Sequence, residues 1–281
     1  MRVLIKGAGD LASGIAFRLF HAGFDIIMTE IERPLAVRRT VAFSQAVYDG
    51  ETSVEDVRAV LVKDLNGIKK TLAQKKIPVI ADPSAAIAAQ LKPAVLIDAI
   101  MAKKNTGTSI TDAPVVICIG PGFYAGKDCH AVIETMRGHN LGRVITSGAA
   151  LPNTGVPGGI GGCTIERLLR AGADGVFEAK LEIGSIVKKG DVVAAVNCEN
   201  GVSVPINAGT GGVIRGLLPS NINVVKGLKA GDIDPRCEAA NCFTVSDKAL
   251  AIAGGVLEAI LRFIKLTYKS RLFLPCFSRS L

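Results

Sequence analysis

Apolar and polar positions alternate with three different periods along this chain, and the changes of period divide it. At the amino end Val3 to Ile5 form a short continuous apolar run, which predicts a buried strand. Gly7 to Gly14 predict a turn, and Ala12 to His21 carry apolar residues at helical spacing. "FDIIMTEI" then predicts a second strand. Further buried strands are expected at "RAVLVKD", "IPVIAD", "AVLIDAI" and "PVVICIG", with helical stretches at Leu65–Gln74 and Ser84–Leu91 between some of them. Such alternation implies parallel pairing, because each crossover must run back along the sheet. "AVIETMRGHNLGRVITSG" reads instead as two β segments joined by the turn "GHNLG", and the glycine-rich "SGAALPNTGVPGGIGG" that follows as a linker or a ligand loop.

From Ala171 the pattern becomes one of short strands punctuated by glycine, and it repeats at an offset of 37 residues without gaps. Gly175 falls on Gly212, Val176 on Val213, Leu181 on Leu218, Val187 on Val224, Lys189 on Lys226 and Gly190 on Gly227. Two copies are too few for a solenoid, so the pair is expected to close on itself as a small two-fold β sandwich. "DIDPR" ends the second copy, and a helix with Ser246 as its N-cap follows, from about residue 246 to 264. The apolar stretch "ALAIAGGVLEAIL" is interrupted by Glu258 and is too short to span a membrane, which needs about 20 apolar residues. The expected fold class is thus α/β: a Rossmann-like doubly wound parallel sheet (1–165), then a small β barrel-sandwich module (166–245), then a C-terminal helix with a basic tail (246–281).

The chemistry centres on the first turn. Gly7, Gly9 and Ala12 fit the G-x-G-x-x-G/A pattern, in which glycines let a backbone approach phosphate at a helix N-terminus. Glu30 closes the second strand 21 residues after Gly9, where an acid would receive a ribose hydroxyl. Asp10 places a carboxylate in that loop and is read as capping the helix. Glu30, Asp82, Asp98 and the loop "GPGFYAG", with Gly120, Gly122 and Gly126, all fall at strand carboxyl ends, where one ligand site would collect them. The expected cofactor-binding residues are Gly7, Gly9, Asp10, Gly14, Glu30, Gly120, Gly122 and Gly126. Cys129 and His130 are weak catalytic candidates, since neighbours on a strand point to opposite faces.

Charge and cysteine content narrow the classes. The net charge of +8 owes five charges to Arg262, Lys265, Lys269, Arg271 and Arg279, in a tail without acids; the rest carries +3, and no aromatic interleaving supports a nucleic-acid partner. Seven cysteines without a CxxC, beside three histidines, argue for reduced thiols in a cytosol and against a structural zinc site. No exported or membrane protein is expected, and no metal ligands are assigned.

Four blocks together, "LIKGAGDLASGIAFRL", "MTEIERPLAVRRTVAFSQAVYDG", "IGPGFYAGKDCHAVIETMRGHNLGRVI" and "NTGVPGGIGG", resemble the YqeB-type proteins of the selenium-dependent molybdenum hydroxylase system, over about residues 1 to 260. The first loop also resembles the Rossmann part of xanthine dehydrogenase accessory proteins. "DGVF…IGSIVKKGDVVAAV" resembles a biotinyl/lipoyl-type barrel-sandwich half, but its connection "NCENGVSVPIN" lacks the lysine on which such carriers bear their prosthetic group. The resemblance implies a cytoplasmic accessory or maturation factor with a molybdenum hydroxylase as protein partner and an anionic cofactor of molybdopterin type or NAD(P)-type nucleotide. An NAD(P)-dependent oxidoreductase and a non-catalytic scaffold are the alternatives.

Overall fold

The computed structural model describes residues 1–155, 158–159 and 161–272, with side chains placed through residue 264. Its first half is one nine-stranded sheet. The strands are β1 (Arg2–Lys6), β2 (Asp25–Glu30), β3 (Glu51–Val54), β4 (Val57–Val62), β5 (Ile77–Ala81), β6 (Val95–Asp98), β7 (Val115–Ile119), β8 (Ala131–Ile133) and β9 (Val144–Ile145). They lie in the order β3-β4-β5-β2-β1-β6-β7-β8-β9. The seven inner strands run parallel, whereas each edge is closed by an antiparallel hairpin, β3 on β4 and β9 on β8. Short antiparallel edge strands limit how far the unpaired ladder is exposed.

Both faces of this sheet are covered, which explains its continuous apolar runs. Val3 and Ile5 of β1 point to one face, against Ile15 and Leu19 of α1 (Asp10–His21) and, from the other end of the chain, Ile252, Val256 and Ile260. Leu4, between them, points to the other face and joins Ile68, Ile87 and Leu91. After α1 come α2 (Ala46–Asp49), α3 (Leu65–Ala73) and α4 (Ala88–Leu91), and finally α5 (Asp247–Leu272). Helix α1 starts where Gly9 takes an extended conformation and ends at Gly23, whose φ of +85° suits glycine. Ser246 caps α5, its hydroxyl accepting from the backbone N–H of Ala249 at 3.2 Å.

The second half contains β10 (Leu168–Arg170), β11 (Gly175–Ala179), β12 (Ile186–Val187), β13 (Val192–Asn197), β14 (Ser203–Asn207), β15 (Gly212–Leu217), β16 (Ile222–Val224) and β17 (Lys229–Asp234). They form two four-stranded sheets, β10-β17-β15-β12 and β14-β13-β11-β16, whose strand pairs are all antiparallel. The offset of 37 residues carries β11 onto β15, β12 onto β16 and β13 onto β17. Each sheet therefore takes strands from both copies. Gly175 and Gly212 share φ values of +153° and +151°, and a Cβ on either would strike a carbonyl of the neighbouring strand, at Asn197 or Asp234. Phe177, Val193, Ile214, Leu217 and Ile233 fill the core between the sheets.

The fold class read from the sequence needs correction. The first sheet is mixed rather than a doubly wound parallel one, because hairpins close both edges. The second half is a pair of separate antiparallel sheets rather than a barrel-sandwich module. Nor does the last helix stand apart: α5 lies against α1, with Ala249 packed on Gly14, and so completes a layer over the first sheet. Periodicity reports how an element is buried but not which distant element buries it, and so it could not place α5.

The halves are joined through the segment after β2. The N–H of Leu217 donates to the carbonyl of Val37 at 2.7 Å, Arg39 Nε donates to Leu217 O at 2.8 Å, and Thr40 Oγ1 donates to Cys242 O at 2.5 Å. Among the described residues no helix is long and apolar enough to cross a membrane. The side chains of the basic tail lie outside the described residues from 265 onward.

Candidate functional site

A cleft of about 790 Å³ opens at the carboxyl ends of β1, β2, β6, β7 and β8 and is closed on its far side by the second half and the start of α5. Its volume is in the range of small-molecule sites. Gly7, Gly9, Asp10 and Glu30 line it, as do Ile100 and Lys103 beyond β6, Pro121 beyond β7, and Thr135 and Arg137 beyond β8. Leu151, Asn153, Thr154 and Gly158, from the glycine-rich segment after β9, line its wall, so these residues contribute to the cleft rather than only linking the halves.

The glycine loop is held tightly from within. Glu30 accepts the N–H of Ala8 on one carboxylate oxygen and that of Ile31 on the other, each at 2.8 Å. The carbonyl of Ala8 accepts from Ser44 N at 2.8 Å and from Ser13 Oγ at 3.0 Å. Burial raises the Glu30 pKa, opposed by the bonds from Ile31 and Ala8. Glu30 thus works as a clamp on the loop, with each oxygen already carrying a backbone donor. The Asp10 side chain makes no cap bond; it sits in the first turn of α1, where the helix dipole favours a negative charge, 3.5 Å from Arg38 Nη1. Gly9 has φ −67° and open space where a Cβ would stand, so it offers the cleft room rather than a special conformation.

The other sequence-predicted residues lie away from this surface. Gly14 is buried, and a Cβ there would come within 2.6 Å of Ala249 Cβ, so it serves helix packing. Gly120 (φ +76°) abuts Thr135, Gly122 (φ +108°) abuts the backbone of Lys103 and Lys104, and Gly126 (φ +89°) turns the loop behind them; of that loop only Pro121 lines the cleft. Asp98 is buried, accepting from Thr108 Oγ1 at 2.5 Å with Lys6 Nζ 3.8 Å away, and Asp82 accepts from Ser84 Oγ and Ile87 N in its own turn.

Cys129 is fully buried beside Cys118, whose thiol pKa is raised by its hydrogen bond with Cys129 and by burial. His130 accepts from Val116 N at Nδ1 (3.0 Å) and stacks edge-on to Phe263, and burial lowers its pKa. Neither residue lines the cleft. Among the described residues no group of three His, Cys, Asp or Glu side chains is placed to hold a metal.

What the sequence reading missed is the basic lining. Seven cations (Arg38, Lys103, Arg137, Arg167, Arg215, Lys229, Lys248) face three carboxylates (Asp10, Glu30, Asp232). Arg137 reaches Asp247 with both terminal nitrogens, at 3.0 and 3.2 Å, and these bonds hold the Asp247 pKa down at about 2. Burial, with repulsion from Arg137, lowers the pKa of Lys248. Behind the Thr135–Arg137 rim, Glu134 is buried and accepts Thr135 N and Met136 N at 2.7 Å and Leu151 N at 2.8 Å, tying two cleft loops to one carboxylate. The signal for Arg215 was present in the sequence: it interrupts the apolar strand "GVIRGLL", which is buried at every position. Its counterpart in the first copy, Glu178, is solvent-facing, so the two copies depart from symmetry here.

No protein-family model matches the chain. Solved structures similar to it include an aspartoacylase family protein from Mesorhizobium loti, 14% identical, covering 83% of this chain and 84% of that one with a TM-score of 0.29. A succinylglutamate desuccinylase from Silicibacter sp. TM1040 is 13% identical with the same coverages and a TM-score of 0.26. The ectoine utilization protein EutE (DoeB) from Ruegeria pomeroyi, solved with product bound, is 11% identical over 83% of this chain and 84% of that one, with a TM-score of 0.26. Likenesses of this size carry no argument about activity. In sequence the chain is 52% identical over 259 residues, 92% of its length, to the uncharacterized protein YqeB of Escherichia coli (strain K12), and it spans about half of that relative, 47%. Over those 259 residues the chain is similar to YqeB.

Proposed function

We propose that the cleft binds a phosphate-bearing cofactor, of molybdopterin or nucleotide type, and that the protein is a cytoplasmic accessory factor in the maturation of selenium-dependent molybdenum hydroxylases. The observation that carries the first part is the lining of seven cations against three carboxylates at the carboxyl ends of parallel strands, where open α/β sheets bind ligands. The second part rests on the sequence resemblance, with the hydroxylase as protein partner.

The residues fit the anionic end of such a cofactor. The N–H groups that the first turn of α1 leaves without intrahelical partners and the guanidiniums across the cleft would supply donors, while Ile31, Leu35, Ile100 and Met101 supply an apolar wall for a planar ring. A molybdopterin-type cofactor, when bound, supplies the metal chemistry; the chain's own residues would orient it and exclude water. The oxidoreductase reading has less support, because neither of its catalytic candidates, Cys129 and His130, lines the cleft.

Native mass spectrometry with elemental analysis, on protein purified gently from its own source, tests this. A bound pterin or nucleotide mass accompanied by molybdenum or selenium, lost in Gly9→Val, is expected. A nicotinamide nucleotide alone would move the assignment to an oxidoreductase. Ligand-free protein whose Gly9→Val variant still supports hydroxylase maturation would leave a scaffold.

A further inference from the structure

Three guanidiniums face the cleft where the two halves meet, and they are not equally satisfied. Arg38 Nη2 donates to Asn241 O at 3.1 Å and to Thr244 O at 3.3 Å. Arg167 donates to Asp232 Oδ2 at 3.1 Å and to Gly158 O at 3.3 Å. The Arg215 side chain makes no hydrogen bond among the described residues. It is 7% exposed, and the carboxylate oxygen beside it, Asp234 Oδ2, stands 3.7 Å away, beyond hydrogen-bond reach. That carboxylate is already taken, since Arg236 donates to it from Nε at 2.9 Å and from Nη2 at 2.6 Å. The Nε groups of Arg38, Arg167 and Arg215 are all buried without a hydrogen-bond partner, as is Asp232 Oδ1, whose nearest cation, Lys229 Nζ, stands 3.7 Å away.

Such an arrangement is costly in isolation, since a buried charge left without acceptors forfeits its hydration and recovers little. Burial and the neighbouring charge of Arg38 both lower the Arg215 pKa, in line with that cost. The pseudo-symmetry shows that the fold does not require it. At the equivalent positions of the first copy stand Glu178 and Asn197, joined by an ordinary surface hydrogen bond of 3.0 Å. The second copy puts Arg215 and Asp234 in their place and turns them inward, in the one of the second half's two sheets that borders the cleft. Five cations (Arg38, Arg167, Arg215, Lys229, Arg236) gather here against three carboxylates (Asp10, Asp232, Asp234), an excess of two positive charges.

We infer that this junction is an oxyanion subsite, in which Arg215, flanked by Arg38 and Arg167, receives a doubly charged tetrahedral group. The group is the terminal phosphate monoester of the cleft's ligand or a free oxyanion of the same shape and charge. The inference rests on the proposed anion-binding cleft and deepens it: the dianion sits on the second half, across the cleft from the glycine loop. The loop is then left to face the rest of the ligand. Planar guanidiniums suit such a group because each can present two parallel N–H donors to it.

The test is calorimetric titration of the full chain with inorganic phosphate and with guanosine monophosphate, for wild type and Arg215→Met. Methionine keeps most of the side-chain volume and leaves Asp234 with Arg236. Both ligands should bind wild type and lose at least about tenfold in affinity in the variant, while the ligand-free melting temperature stays level or rises. Equal phosphate affinity in the two proteins, or no phosphate binding to wild type, would overturn the inference. Cofactor retention in native mass spectrometry would in that event leave the proposed function standing. Conversely, phosphate lost on Arg215→Met but guanosine monophosphate binding no tighter than phosphate identifies a free oxyanion, which upholds the subsite and counts against a phosphate-bearing cofactor. Should Arg215→Met fail to fold, wild-type crystals soaked in tungstate decide: an anomalous peak among Arg38, Arg167 and Arg215 is expected, and a peak only at the start of α1, or none, refutes the assignment.

Discussion

Gly14 and Gly9 belong to the same glycine loop and helix start, yet the structure gives them opposite work, and exchanging each for valine separates the two roles. A Cβ at residue 14 would stand 2.6 Å from Ala249 Cβ and 3.1 Å from Val245 Cγ1. Carbon atoms in contact settle at about 3.5–4.0 Å, so α1 and α5 would have to part by about 1 Å. Overpacking a tight interface costs about 1–3 kcal/mol, and the two further methyl groups of valine put Gly14→Val at the upper end. At about 2–4 °C per kcal/mol for a chain of this size, the melting temperature should fall by roughly 6–12 °C. Ligand affinity measured below the transition should stay near wild type, because residue 14 is screened from the cleft. Gly9→Val should behave in the opposite way. Its backbone conformation is open to any residue and its Cβ meets nothing within 4 Å, so only the N-cap preference is lost, about 1 kcal/mol. The added methyls project into the cleft and should weaken binding at least tenfold. Differential scanning calorimetry and isothermal titration on both variants make the comparison. A Gly14→Val protein that melts as wild type but no longer binds ligand would refute the packing argument.

Further outcomes follow from named contacts. Asp247 should titrate at about 2 by carboxyl-detected NMR and move up toward 3.8 in Arg137→Ala. Because its folded pKa is depressed, whatever this pair contributes is present above about pH 4 and lost as pH falls toward 2. Gly175→Ala and Gly212→Ala should each destabilise the second half strongly, by more than about 2 kcal/mol in chemical denaturation, since both glycines hold φ near +150° with a carbonyl in the way; wild-type stability in either would contradict the observed pairing. Glu134→Gln leaves a buried loop N–H without its carboxylate acceptor, at a cost of about 1–3 kcal/mol, and amide exchange at Thr135, Met136 and Leu151 should accelerate.

Local elements and the internal repeat were legible in the order of residues, because burial on one face or two leaves a period in the sequence. Thus β1, α1 and β2, the hairpin around "GHNLG", the start of α5 at Ser246 and the offset of 37 residues all show in the pattern of side chains alone. The predicted helix over 84–91 shrinks to α4 at Ala88–Leu91, since Asp82 spends its carboxylate on Ser84 and Ile87 and winds the first part into turns. The hairpin strand β3 went unseen because only its last residue, Val54, is apolar and buried, while Glu51 to Ser53 are polar and lie at an edge.

The site itself was decided by tertiary structure. The glycine pattern picked out Gly7, Gly9 and Asp10 on one loop and Glu30 at the end of β2, all of which line the cleft, but the same pattern cannot tell a glycine that faces the cleft from one that admits a neighbouring helix, and Gly14 is the latter. The cations of the cleft are separated by up to about two hundred residues in the chain and come together only when the second half docks on Val37 to Thr40 and α5 returns to α1. Charge at a distance in sequence leaves no period. Its meaning depends on burial and on which partner is missing, and for Arg215 only the folded chain reveals both.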